Sequence, residues 1–345
     1  MSPTKLTLVI GATGAQGQAV IAALLAPNSD GTASPYNVRA LTRNLESPQA
    51  QGLAARGVQL VQGTFHDFNA VAKALDGAYG AWVNTDGSTG GEVAEIYAGM
   101  RIFEVAKRVP SLRHYVWSNL RFVFKVSGFN PEYRAEHMDA KGRVGEWLSV
   151  QPSVLTHDGL VWSQATFAPM NVRKDGTVVF AAPVGDSRVP LIALKDVGWW
   201  ARWTFDHRAE ASARELNVAS DLVGWDDIVK TLTKVTGKPA VYLRLTLDEW
   251  WTNFDERADN PLSSDKKRGD GSTTIKQNYS AFWRVLRDGI IDKDMEWIRS
   301  VHPGTFTLER WMRENNYDGR GKTVLKKALE SNNAWGFRPD IAKDL

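Results

Sequence analysis

Leu6-Thr7-Leu8-Val9-Ile10-Gly11-Ala12-Thr13-Gly14-Ala15-Gln16-Gly17 reads as a strand, a glycine turn and the opening of a helix. The apolar run Leu6–Ile10 delivers the backbone to Gly11, where a turn without a side chain is needed. Gly14 lets main-chain N–H groups approach an anion. Gly17 lets the following helix lie close to the sheet, so that the helix N-terminus points its partial positive charge at a pyrophosphate. The helix then shows an apolar face through Ala19, Val20, Ala23 and Leu24. A bare structural turn is the competing reading. The strand before and the helix after supply the context that dinucleotide binding requires, and they name Gly11, Thr13, Gly14, Ala15, Gln16 and Gly17 as the cradle.

Outward from this motif, strand and helix signals alternate. Tyr36–Thr42, Gly57–Gly63, Gly80–Thr85, Arg113–Ser118 and Ser153–Thr156 read as strands; Ser47–Ala55, Phe68–Leu75, Glu92–Val109 and Tyr133–Val150 read as helices. This alternation predicts an α/β fold, a Rossmann-type doubly wound parallel sheet with its ligand at the carboxyl ends of the strands. Beyond about residue 158 the pattern changes to a smaller mixed α/β region. Asp175-Gly176 signals a hairpin, Asp196 is placed to cap a helix, Glu215–Ala219 reads as a strand returning to the sheet, and Trp225–Val235, Tyr279–Gly289 and Thr307–Asn315 read as helices. Asp255–Thr274, rich in Asp, Lys, Gly and Ser, reads as a mobile surface loop. The expected division is therefore a dinucleotide-binding domain over 1–158 and a substrate- or partner-binding region over 159–345.

Bulk properties narrow the function classes. The 345 residues are long enough for a Rossmann core with an appended region, and 43% hydrophobic with 23% charged residues is ordinary for a globular protein. A net charge of +3 gives no support for nucleic-acid binding, which needs a clustered basic face. No cysteine is present, which excludes disulfides, thiolate metal sites and thiol catalysis. The six histidines, at 66, 114, 137, 157, 207 and 302, show no close metal-ligand spacing, and neither a nucleophile elbow nor a zinc-protease motif is found. No apolar run approaches a membrane span, and the expectation is a cytoplasmic protein, with the nucleus left open. Of the 14 tryptophans most are expected in cores, with a minority walling an aromatic pocket.

Two further constellations carry chemistry. After the second strand, where an NAD-preferring fold carries an acidic residue, this chain has Thr42-Arg43-Asn44. A carboxylate there would repel a 2′-phosphate, whereas a guanidinium binds one with paired hydrogen bonds, so NADP(H) is favoured over an ordinary exposed arginine. Gly63-Thr64-Phe65-His66-Asp67 is positioned to border the adenine. On the helix after the fifth strand, His137 and Lys141 are four residues apart and share a face. The Gly-x-x-Gly-x-x-Gly spacing points to short-chain dehydrogenases, which carry Tyr-x-x-x-Lys on this helix. There the lysine holds the nicotinamide ribose and the phenol transfers a proton. Histidine stands here in the tyrosine position and also donates protons near neutral pH. Ser118, ending the fifth strand, is where such a fold places the hydroxyl that orients a carbonyl. Lys141, His137 and Ser118 are thus the catalytic candidates, against the plainer reading of a histidine and a lysine on a helix surface.

Taken together, Gly11–Gly17, Val38-Arg39-Ala40-Leu41-Thr42-Arg43, Gly57–Gly63, His137–Trp147 and Phe306-Thr307-Leu308-Glu309-Arg310-Trp311 resemble the NmrA-like family of atypical short-chain dehydrogenases, most strongly its NADP-sensing redox-regulator branch and fungal homologues. The resemblance implies NADP(H) bound through Gly11, Gly14, Gly17 and Arg43, with Lys141 near the nicotinamide. It embraces both non-catalytic sensors and reductases that use a lysine without the tyrosine. Where relatives often carry an arginine-proline or threonine-glycine segment lining the nicotinamide pocket, this chain has Thr156–Trp162, so His157 or Asp158 is either a substrate contact or loop structure. Two functions follow as expectations. One is an NADPH-dependent oxidoreductase acting on a small, aromatic ketone, quinone, imine or enone. The other is a redox sensor whose bound NADP(H) alters association with a regulatory protein partner. The expected partner of the first is a small-molecule substrate; a homodimer is left open, and neither nucleic acid nor a membrane is expected.

Overall fold

The computed structural model describes residues 4–151, 154–159, 169–263, 271–320 and 336–345, with the backbone alone described at 88–89 and 154–159. Within these, the chain forms two compact units: Met1–Arg121 with Ala140–Gly159 and Leu194–Asn217, and Phe122–Asp139 with Leu160–Ala193 and Val218–Leu345.

In chain order the first part runs β1 (Lys5–Ile10), α1 (Ala15–Leu25), β2 (Tyr36–Thr42), α2 (Pro48–Ala54), β3 (Gln59–Gln62), α3 (Phe68–Leu75), β4 (Gly80–Val83), α4 (Gly87–Ala106), β5 (His114–Asn119), α5 (Val123–Val126), α6 (Glu136–Ser149) and β6 (Val154–Gly159). Then follow β7 (Asn171–Val172), β8 (Val178–Ala182), β9 (Val189–Leu191), α7 (Leu194–Asp206), α8 (Arg208–Ala211), β10 (Glu215–Val218), β11 (Asp221–Val223), α9 (Trp225–Thr236), β12 (Ala240–Arg244), α10 (Leu247–Trp251), α11 (Ile275–Arg287), α12 (Met295–Val301) and α13 (Leu308–Glu314).

The large sheet has the order β10-β6-β5-β4-β1-β2-β3, with β1 to β6 parallel neighbours throughout. This is the doubly wound arrangement, whose order reverses between β1 and β4, the place where sheets of this kind bind ligands at their strand ends. Its centre is apolar on both faces, as a helix-covered parallel sheet requires: every residue of β4 and β5 is buried. Beneath them Leu8, Ile10, Val83, Trp117, Val144 and Leu148 belong to one core cluster.

Helix α1, whose N-terminus the glycine turn aims, is held along its length by α7. A Cβ on Gly198 would stand 2.5 Å from the Ala19 carbonyl oxygen, so only glycine permits this approach. Arg202 of α7 closes the far end of α1. Its guanidinium donates to the Ala23 and Ala26 carbonyls at 3.1 and 3.2 Å and to Asn28 Oδ1 at 2.6 Å, and pairs with Asp206 at 2.7 Å. A cation on the last carbonyls satisfies orphan acceptors and opposes the negative end of the helix dipole. Asp196, expected as the cap of α7, instead lies buried in its first turn, because the helix begins at Leu194. An acid is favourable at either place in a helix start, so charge alone misplaces the boundary by a few residues.

In the second unit β12 pairs parallel with β8, β7 pairs antiparallel with β8, and β11 pairs antiparallel with β9. The Asp175-Gly176 turn closes the β7–β8 hairpin, with Gly176 at φ 87°. Tryptophans fill the interior, Trp283 packing its ring against Trp250 at 5.3 Å and Trp225 at 6.0 Å. Trp82, Trp117 and Trp200 are likewise fully buried in the first unit. The stretch expected to be one mobile loop from Asp255 to Thr274 holds a 3-10 turn at Glu256–Asp259 and a bridge between Pro261 and Thr274, while 264–270 lies outside the described residues. Among the described residues no helix is long and apolar enough to cross a membrane.

Candidate active site at the carboxyl edge of the sheet

The turn after β1 is shaped by what its glycines lack. Gly11 sits at φ 80°, and a Cβ there would meet the Asn84 carbonyl oxygen at 2.8 Å. A Cβ on Gly17 would run into the Gly11 carbonyl oxygen and stand 2.7 Å from Ala12 Cα. Gly14 is the N-cap of α1, with no side chain capping it and no acidic residue in the first turn. The first N–H groups of this helix therefore face the strand ends without an internal acceptor from a cap, which is the condition for holding an anion. Gln18 Nε2 braces the turn by donating to the Thr13 carbonyl at 3.1 Å.

Register sets the neighbours of this turn. Ile10 pairs with Leu41, so Arg43 leaves β2 just beyond the level of Gly11. Its side chain is exposed and makes no hydrogen bond or ion pair with the described residues. In the loop after β3, Asp67 caps α3 by accepting from the Asn69 and Ala70 N–H groups at 3.1 Å, and the Phe65 and His66 rings pack tilted at 41° with centroids 4.2 Å apart. Asp67 is thereby occupied as a structural acceptor.

Ser118 is brought against the glycine turn: its hydroxyl donates to Gln16 Oε1 at 3.0 Å, linking the end of β5 to the first turn of α1. Lys141 arrives from α6 in the same unit. Its ammonium donates to Asn84 Oδ1 at 2.9 Å, the Thr85 carbonyl at 3.0 Å and Thr85 Oγ1 at 3.2 Å, and lies 3.2 Å from Glu95 Oε1. The Thr85 hydroxyl donates to the same Glu95 oxygen at 2.6 Å. Trp117 supports the cation with its ring 5.1 Å from Nζ. The lysine thus shares the Asn84 residue that crowds Gly11, which couples its position to the glycine turn.

His137 has different surroundings. It belongs to the second unit, where Asn278 Nδ2 lies 2.9 Å from its Nδ1 and its ring stacks on Tyr279 at 5.5 Å with Phe282 edge-on at 5.6 Å. His157 and Asp158, read as part of a loop, lie in β6 opposite Ser118 and Asn119, because β6 continues to Gly159. The rest of that segment, Leu160–Trp162, is outside the described residues.

The sequence reading passed over Asn84, Thr85 and Glu95. Asn84 and Thr85 were legible only as the polar end of a strand. Glu95 lies in a glycine-rich helix start whose sequence gives no sign of burial.

A model of the NmrA-like family matches residues 3–267, well over half of the chain. The chain belongs to the NmrA-like family. One family relative, the NmrA-like family domain-containing oxidoreductase notA of Aspergillus sp. (strain MF297-2), is 32% identical over 276 residues, covering 73% of this chain and 78% of that protein. The fold is shared with NmrA, a negative transcriptional regulator solved in complex with NADP (TM-score 0.68, 19% identity, 91% of this chain and 95% of that one). It is shared too with the NADPH-dependent quinone oxidoreductase QOR2 of Escherichia coli solved with NADPH (TM-score 0.64, 18% identity, 90% and 99%). At these identities the two structures establish architecture alone.

Proposed function

We propose that this NmrA-like protein is an NADPH-dependent oxidoreductase that reduces a small, aromatic ketone, quinone, imine or enone. The observation that carries the reading is the uncapped, acid-free N-terminus of α1 behind a glycine turn in which Gly11 and Gly17 are sterically required, with Lys141 anchored on the residue that walls the same turn. These residues fit an NADP(H) molecule: Gly11, Thr13, Gly14, Ala15, Gln16 and Gly17 would hold the pyrophosphate, and the unpaired Arg43 guanidinium the 2′-phosphate. The names of the relatives support the same chemistry, since the fungal homologue is called an oxidoreductase and the bacterial structure is an NADPH-dependent one.

When bound, the reduced nicotinamide would supply a hydride. The chain's own part is to orient the acceptor and to present a proton. Ser118 is the orienting hydroxyl, already fixed by Gln16. Lys141 presents its protons at Nζ from a site where the ammonium is charge-paired and largely shielded from water, with 12% of its side chain exposed. His137 is retained as the second proton source. Within its own unit the His137 ring packs on Tyr279 and Phe282.

Fluorescence titration with NADPH followed by a screen of aromatic ketones and quinones tests the reading. Consumption of NADPH that Lys141→Met slows about a hundredfold, to a measurable residual rate, while NADPH binding persists is the expected result. Binding without turnover across a broad panel would instead support a redox sensor, which the engagement of every Lys141 proton by protein acceptors also favours.

A further inference from the structure

The Glu95 carboxylate is a charge that neither the family resemblance nor the proposed chemistry uses, yet the fold goes to some length to bury it. Its side chain is 1% exposed, and Oε2 has no hydrogen-bond partner among the described residues. Room for it is made by glycines. A Cβ on Gly87 would occupy the place of Oε2. One turn after Glu95, a Cβ on Gly99 would stand 2.9 Å from both Trp117 and Val144, so the missing side chain lets α4 close on β5 and α6. Val144 is three residues beyond Lys141 on α6, and this approach delivers the carboxylate to the lysine.

A carboxylate buried with one oxygen bare is unfavourable unless an opposite charge is close. Among the described residues the cation that meets that need is Lys141, whose Nζ lies 3.2 Å from Glu95 Oε1. The reverse dependence is geometric. An ammonium has three protons, and Asn84 and Thr85 alone offer three acceptors on the strand side; Glu95 adds a fourth from the helix side and also takes the Thr85 hydroxyl proton. With Glu95 present, Thr85 Oγ1 has its own proton committed and turns a lone pair to Nζ. Without it, the hydroxyl is free to rotate and compete for acceptors.

We infer that Glu95 is a positioning residue for Lys141: through the Thr85 hydroxyl and its own Oε1 it fixes where the ammonium stands at the carboxyl edge of the sheet, without itself touching substrate or cofactor. The kinetic part of this inference rests on the reductase reading; the geometric part does not.

Glu95→Gln preserves shape and removes the charge, so it is the variant of choice, with Lys141→Met as the matching neutral lysine replacement. Proton–nitrogen NMR of lysine side-chain ammonium groups in the full-length protein gives a readout independent of any activity. The wild type should show one slowly exchanging ammonium signal that Lys141→Met deletes, and Glu95→Gln should broaden or abolish it. In the NADPH-dependent reduction, Glu95→Gln should lower kcat about tenfold or more while changing KM less than about threefold, the pattern of a group acting in the rate-limiting chemistry. In the Lys141→Met background, on whatever residual rate remains, it should change kcat by less than about twofold, because a residue that acts through Lys141 has nothing left to position. A Lys141 signal unchanged in Glu95→Gln, or an equal loss of kcat in both backgrounds, overturns the inference. If the wild type turns nothing over but Glu95→Gln still removes the signal, the positioning role stands and the reductase reading falls.

Discussion

The glycine turn after β1 and the Lys141 cluster after β4 stand at the same edge of one sheet and are built on opposite principles. The turn is made by omission: three side chains are absent, and no side chain among the described residues caps the helix start. The cluster is made by saturation, with each proton of the ammonium matched to an acceptor and the carboxylate behind it sealed from water. A group meant for an external anion is kept unsatisfied. A group meant to stay in place is satisfied from within.

The contrast is most severely tested at Lys141. Truncation to alanine strands the Glu95 carboxylate in the interior, and breaking a buried pair from one side costs about 3–5 kcal/mol. Denaturant unfolding should record a loss of that order, and the Lys141→Ala, Glu95→Ala double variant should be less destabilised than the sum of the two single changes. Strict additivity would mean that the two side chains are not paired in solution.

At the turn, a single methyl group should be enough. Gly17→Ala forces the Gly11 carbonyl and Ala12 out of place, and NADPH affinity by fluorescence should fall about a hundredfold, equivalent to roughly 3 kcal/mol. An unchanged affinity would show that the backbone can yield and that the cradle reading is wrong. Arg43→Ala removes an exposed group with no partner among the described residues, so stability should hardly change. Its effect should fall on NADPH, weakened about tenfold or more through loss of a charge-assisted contact, with NADH altered less than about threefold.

His114, at the amino end of β5, gives a third arrangement for comparison: a buried imidazole with neither ring nitrogen partnered among the described residues, its ring 4.6 Å from that of Phe205. Burial, aided by Arg208 and Lys5, pushes its pKa down from 6.5 to about 3. The neutral ring is the form that fits, so the unfolded chain binds the extra proton first. The stability this residue contributes is present above about pH 6.5 and is lost as pH falls from there toward 3, with a slope of up to about 1.4 kcal/mol per pH unit. His114→Phe should flatten that part of the unfolding profile, and an unaltered slope would assign the acid sensitivity elsewhere.

The same contrast explains what could be read in the sequence. The turn is contiguous: strand, glycines and helix fall within twelve residues, and its steric demands are written as absent side chains. The large sheet was legible for a related reason, since long apolar runs alternating with helical periods admit few arrangements. The cluster around Lys141 draws on β4, α4 and α6, and its acid is hidden by glycines at 87 and 99 that act only in three dimensions. Spacing on α6 likewise paired His137 with Lys141, whereas Asn278 and Tyr279, more than a hundred residues later, set the histidine's surroundings. In the second unit the short helices α10 and α12 were missed. Thr246-x-x-Glu249 marks α10 as a capping box and Asp294 caps α12, signals that hydrophobic periodicity over five or seven residues is too short to display.

Calorimetric titration of the intact chain with NADPH, and in parallel with NADH, bears most directly on the central claim that the glycine turn and Arg43 form a cradle for a phosphorylated dinucleotide. The account predicts saturable heat at one NADPH per chain, with NADH at least about tenfold weaker. No heat with NADPH or NADP⁺ from well-folded protein, or equal affinity for the two reduced forms, would contradict it.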